Sequence, residues 1–79
     1  MTRKDRLLKK FLENPDSLQF RDIETILKSF GYILVRVRGS HYHYCHEQLS
    51  EKFVFPVHNN DCFKSYKRYL AKFINDKLL

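Results

Sequence analysis

The sequence predicts an α+β fold in which a three-stranded antiparallel sheet carries helices on one of its faces. Three observations lead there. Apolar residues recur at helical spacing before Gly31 and again after Asp61. Between them the period falls to two and the composition turns to Val, Ile, Tyr and Phe. Gly39 and the polar stretch Glu47–Glu51 divide that middle region into three short runs, which hairpin connections join most economically into a meander.

Leu7, Leu8, Phe11 and Leu12 stand at helical spacing over residues 3–13, with Arg3, Lys4, Arg6, Lys9 and Lys10 between them. This amphipathic helix ends at Asn14-Pro15, because the residue before a proline is pushed out of the helical region. Asp16 to Gln19 form a connector. From Phe20 onward, Ile23, Ile26, Leu27 and Phe30 draw the apolar stripe of a second helix. Gly31 stops it in the left-handed cap position and is therefore expected to be structural.

Tyr32–Arg38 reads as the first strand, with Ile33, Val35 and Val37 alternating against Leu34, Arg36 and Arg38. Arg38-Gly39-Ser40 is a tight reversal in which Gly39 takes a positive φ, a second structural requirement. In the strand Ser40–His46, Tyr42 and Tyr44 point one way and His41, His43 and Cys45 the other. Lys52–Val57 places Phe53, Phe55 and Val57 on one face, and Pro56, which lacks a backbone donor, suits an edge. Asn59-Asn60-Asp61 is a turn, with Asp61 capping a last helix whose stripe is Phe63, Tyr66, Leu70, Phe73, Ile74 and Leu78. The expected order is α-α-β-β-β-α in a single domain, residues 1–79, of which 1–15 form an additional N-terminal helix. The tyrosines of the second strand and the phenylalanines of the third are expected to face the helices. The helix-borne Phe and Tyr stripes are expected in the core, not on a stacking platform. His41 and His43 then stand on the open side, with Arg36 and Arg38 expected beside His41.

Size and charge narrow the function. A chain of 79 residues buries only roughly 60% of its unfolded surface. With 43% hydrophobic residues, among them seven Phe and five Tyr, a few large rings do most of the filling. No wide cofactor cavity is expected, so an active site would be a surface groove. The net charge of +6, from 15 Lys and Arg against 9 Asp and Glu, favours a polyanionic partner through counterion release. The longest apolar run, Tyr32 to Val35, falls far short of the ~20 residues of a membrane span. No apolar leader follows the basic start, and a cytoplasmic location away from membranes is expected. In that compartment Cys45 and Cys62 are expected as free thiols.

All four His lie between positions 41 and 58. Histidine exchanges protons near neutrality, so His41 suits general acid or base work in RNA transesterification, where a 2′-hydroxyl attacks the neighbouring phosphate. Arg36, Arg38 and Lys52 could neutralise that phosphate. Spacing alone leaves open an unreactive surface histidine. A metal site from His41, His43 and Cys45, with His46, His58 and Cys62 nearby, is the rival reading. It lacks any Cys-x-x-Cys pair or His-Glu-x-x-His helix, and no metal is expected. Two glycines make no phosphate loop.

From about Phe20 to Ile74 the sequence resembles the HicA-type mRNA interferase toxins of bacterial type II toxin–antitoxin systems. The resemblance is carried by Phe30-Gly31-Tyr32, Arg36, Gly39-Ser40-His41, Tyr44, His46 and the strand end Phe55-Pro56-Val57-His58, similar to the family's Val-Pro-x-His. It implies a fold like the double-stranded-RNA-binding domain and cleavage of mRNA without metal or cofactor. It makes His41 the catalytic residue, with silencing by a HicB-type antitoxin that covers the active face. On this reading Arg36 binds phosphate or stabilises the transition state, and Arg38, Ser40 and Lys52 line the RNA. His43 and His58 also bind RNA and are candidate second proton carriers. Glu47 stands where many members have Pro, Lys64-Ser65-Tyr66-Lys67 replaces a common Gly-Thr-Leu-Arg, and residues 1–15 are additional. These departures bear on antitoxin contacts and RNA preference rather than on catalysis. The alternatives are a non-catalytic RNA-binding module of the same fold and a metal-binding interaction protein.

Overall fold

The computed structural model describes residues 2–79 and has the expected element order. Helix α1 spans Arg3–Glu13 and α2 Phe20–Ser29; strands β1, β2 and β3 span Ile33–Arg38, His41–Cys45 and Phe53–Pro56; α3 spans Lys64–Phe73. A 3-10 turn, Pro15–Ser17, joins the first two helices, and a π-helical turn, Ile74–Leu78, extends α3. The strands form one antiparallel sheet in the order β1-β2-β3.

Local chemistry explains the ends of the helices. Thr2 and Asp5 make a reciprocal capping box at the start of α1: the Asp5 N–H donates to Thr2 Oγ1 (3.2 Å) and the Thr2 N–H to Asp5 Oδ2 (3.3 Å). At the end of α2, Gly31 (φ +94°) lets its own N–H reach the Lys28 carbonyl (3.0 Å) and the Tyr32 N–H reach that of Leu27 (3.1 Å). This paired closure absorbs Tyr32 into the helix cap, which is why β1 begins one residue later than its composition suggests. Space also demands glycine here, since a Cβ on Gly31 would sit 2.8 Å from Nε2 of His46.

The core lies between the sheet and the helices. Phe20, at the start of α2, packs edge-on against Tyr42 (5.4 Å between centroids) and Phe55 (5.6 Å), and tilted against Tyr44 (6.3 Å). Phe53 takes Tyr32 on one side and Phe73 of α3 on the other, each at 5.2 Å. Such pairs add about 0.5–1.5 kcal/mol each beyond the area they bury. Tyr42, Tyr44, Phe53 and Phe55 therefore face the helices, as expected. Helix α1 buries Phe11 in the same core. Tyr44 is fully enclosed, and its hydroxyl donates to the Glu24 carboxylate of α2. Burial first, and that carboxylate second, push the hydroxyl far above its ordinary titration range, so it remains a donor.

Two readings of the last helix are overturned. Asp61 does not cap it: Phe63 holds the N-cap position without a side-chain bond. Asn59 and Asn60, at φ +53° and +65°, instead turn the chain so that His58 and Asp61 exchange backbone hydrogen bonds (2.8 and 3.0 Å). Asp61 Oδ1 then accepts from the Cys62 N–H (2.9 Å) and pairs with Lys67 Nζ (3.0 Å). A buried ammonium attracts the carboxylate more strongly than the half charge of a helix end does. Nor do Phe63 and Tyr66 face the core. The inner row is Lys67, Leu70, Ala71 and Ile74, a regular helical repeat hidden in the sequence by its lysine.

Candidate functional site

The face of the sheet away from the helices gathers the basic and imidazole side chains. Cross-strand partners share a face, and Arg38 pairs with His41, which pairs in turn with Pro56. Arg36 pairs with His43, which pairs with Val54. Two neighbouring rows thus each hold one arginine and one histidine, and none of these residues is acidic. Neither Arg36 nor Arg38 has an ion-pair partner among the described residues, whereas Arg3 and Arg68 are paired with Asp22 and Asp16.

A bulge makes this arrangement. The register of β1 against β2 shifts between Leu34 and Arg36, leaving Val35 without a partner. Strict alternation would have set Arg36 and Arg38 on the same side as Leu34. The extra residue lets Leu34 pair with Tyr44 towards the core while both arginines turn to the open face. The expected alternation of β1 is corrected accordingly. Val35, Ile33 and Val54 are exposed apolar residues that the sequence reading left without a role. Their only signal was β-branched residues in a strand that the helices do not cover.

The field on this face acts on His43. Partial burial lowers its pKa first, and the nearby Arg36, His41 and Arg38 lower it further, so His43 is a neutral proton acceptor at pH 7. His41 is exposed at the first position of β2. The Ser40 carbonyl accepts from the Val57 N–H (2.8 Å), tying the hairpin turn to the end of β3. That bond, with the His58–Asp61 bridge, holds exposed His58 at the same end of the sheet as His41.

The family model described as the HicA toxin of bacterial toxin–antitoxin systems matches residues 20–72. The chain belongs to the HicA toxin family. No curated protein and no solved structure matches it. The match begins with α2, so α1 lies outside the family core of this HicA toxin.

The toxin's remaining candidate residues fall elsewhere. Lys52 precedes β3, about 13 Å at strand rise from Pro56, the partner of His41, and about 7 Å from Val54, the partner of His43. His46 is structural: its Nδ1 accepts from the Gln48 N–H (3.0 Å), which leaves the ring proton on Nε2 to donate to the Phe30 carbonyl (2.9 Å). Among the described residues no three His, Cys, Asp or Glu side chains come together as a metal ion would require. Cys45 and Cys62 are both free, and burial pushes the Cys62 thiol up to about 11. No helix among the described residues is long and apolar enough to cross a membrane.

Gly39 sits at φ +60° in the two-residue turn before His41. A Cβ there would meet nothing within 4 Å, so any penalty comes from the backbone alone. Gly39→Val is expected to destabilise the fold by about 1–2 kcal/mol and to misplace His41, whereas Gly39→Asn, which tolerates this φ, should be milder. Thermal melts of the two variants check the ranking, and equal melting temperatures would contradict it.

Proposed function

We propose that this toxin is a metal-independent endoribonuclease that cleaves mRNA in the cytoplasm, with His41 as its catalytic residue. The observation that carries this reading is the pairing of Arg38 with His41 and of Arg36 with His43 on one open face, with no acidic residue in either row. Cleavage by transesterification needs three things of the protein. A base removes the proton of the 2′-hydroxyl as its oxygen bonds to phosphorus, an acid protonates the departing 5′-oxygen, and cations neutralise the charge gathering on the phosphoryl oxygens. The products are a 2′,3′-cyclic phosphate and a free 5′-hydroxyl. His41 performs one proton transfer, and His43, neutral at pH 7, or His58 performs the other. Arg36 and Arg38 hold the phosphate, and Ser40 lies on the RNA path beside His41.

A HicB-like antitoxin would silence the toxin by covering the same face. The exposed Ile33, opposite Cys45, and Val54, opposite His43, give such a protein apolar purchase between the charges.

The test is cleavage of a labelled RNA in the presence of EDTA, with products resolved by their termini. Cyclic phosphate ends are expected. RNA binding should weaken steeply as salt rises, because the +6 charge acts through phosphate contacts. Binding without cleavage would identify a non-catalytic RNA-binding module, and an affinity insensitive to salt would count against phosphate contacts altogether.

A further inference from the structure

Three aromatic residues of α3 and its cap are exposed, among them Phe63 and Tyr66, which the sequence led us to expect in the core. Phe63, Tyr66 and Tyr69 are 63%, 38% and 54% exposed. They follow one another along the edge of the molecule that begins at the candidate site. Phe63 shares a recess of about 220 Å³ with Pro56 and His58. Tyr66 and Tyr69 share a groove of about 310 Å³ with Lys52, Phe53 and Phe55, along the side of β3 that no strand covers. The row from Phe63 to Tyr69 covers about 9 Å of helix rise, enough for two or three splayed bases.

The tyrosine rings are held in place before any ligand arrives. Tyr66 packs edge-on against Phe55 (6.2 Å) and Tyr69 against Phe53 (6.1 Å). The Tyr69 hydroxyl donates to Glu51 Oε2 (2.9 Å). Rings fixed in this way lose little freedom on binding. Lys64 and Lys52 are exposed beside the row, and neither has an ion-pair partner among the described residues.

We propose that Phe63, Tyr66 and Tyr69 form a stacking track for unpaired bases, so that the toxin takes single-stranded RNA whose chain leaves the His41 end along the edge of β3 and meets Lys52 at the far end. The proposal rests on the ribonuclease reading and specifies its substrate class. Aromatic rings need the faces of bases, which a duplex keeps stacked inside itself, and stacking is tolerant of sequence because every base has such a face. An added protein strand at the β3 edge is the competing occupant. The +6 charge, the unpaired lysines and the continuity with the His58 recess favour RNA.

The test uses the full chain carrying His41→Ala, so that the probe is not cut, and a fluorescein-labelled oligouridylate read by anisotropy. Adding Phe63→Ser or Tyr69→Leu is expected to weaken binding about 5- to 10-fold with the salt slope unchanged. Tyr69→Phe should keep the affinity. Lys52→Gln should lower the salt slope by about one. Annealing the probe to oligoadenylate should weaken its binding. Unchanged affinity in folded Phe63→Ser and Tyr69→Leu, or preference for the annealed probe, would overturn the track and leave this edge to a protein partner. If the His41→Ala parent binds neither probe, the ribonuclease reading falls with the track; if it binds and the ring variants bind equally well, only the track falls.

Discussion

His41→Ala is expected to lower the rate of RNA cleavage by ~10²–10⁴-fold, the usual cost of removing a positioned proton carrier. The side chain is exposed at the start of β2, packed into no core cluster, and bounded by Arg38 and Pro56 on the neighbouring strands. Its truncation should therefore change stability by no more than about 0.5 kcal/mol. The variant should fold, bind RNA and still be neutralised by its antitoxin, while growth inhibition disappears. Cleavage of a labelled RNA by both proteins, with EDTA present, measures the effect. Undiminished cleavage by folded His41→Ala would remove His41 from the mechanism and move the role to His58, the histidine held at the same end of the sheet.

The largest expected effect on stability is at Asp61. The Lys67 side chain is only 4% exposed, against 40% for Asp61, so the two partners are not equivalent. Asp61→Ala strands a buried ammonium and frees the Cys62 N–H. About 2–4 kcal/mol is expected, somewhat below a fully enclosed pair because water reaches the carboxylate. At this chain length that lowers the melting temperature by about 10–25 °C. Lys67→Met removes the charge while keeping much of the packing volume, and the remaining carboxylate still reaches water and backbone donors. It should cost no more than about 1 kcal/mol. Denaturant melts of the two variants decide the matter, and equal losses would mean that the pair acts symmetrically.

Asp61 also gives that difference a pH dependence. Burial alone would raise its pKa, but the Lys67 ammonium and the N–H groups of Cys62 and Phe20 outweigh it, so the folded carboxyl titrates below its ordinary value of 3.8. Its stabilisation is present above that value and lost as pH falls through the folded pKa. The gap between wild type and Asp61→Ala should accordingly close in acid.

The expected ends of the first two helices were legible because their signals are local. Asn14-Pro15 and Gly31 act on the backbone within a few residues, and Gly39 sets the hairpin in the same way. The aromatic side of β2 and β3 was legible too, since a period of two survives any packing that covers one face. The faces of β1 were not. Its six residues alternate correctly as a string, yet the bulge at Val35 depends on how Leu34 meets Tyr44 and Arg36 meets His43 across the ladder. The inner face of α3 was misread for a related reason: Lys67 carries the helical period of the core but not its polarity, and only a partner 6 residues back in the chain, Asp61, makes its burial tolerable.

Sequence by itself therefore determined the order of elements, the helix-facing side of β2 and β3 and the turn before His41, all consequences of backbone preference and short-range periodicity. Tertiary structure alone decided that a bulge at Val35 carries Arg36 and Arg38 to the face of His43 and His41 while Leu34 turns to the core, and that Phe63, Tyr66 and Tyr69 are left exposed. Those outcomes depend on register across strands and on which side of a helix meets the sheet. Contacts between residues distant along the chain set both, and no local pattern encodes them.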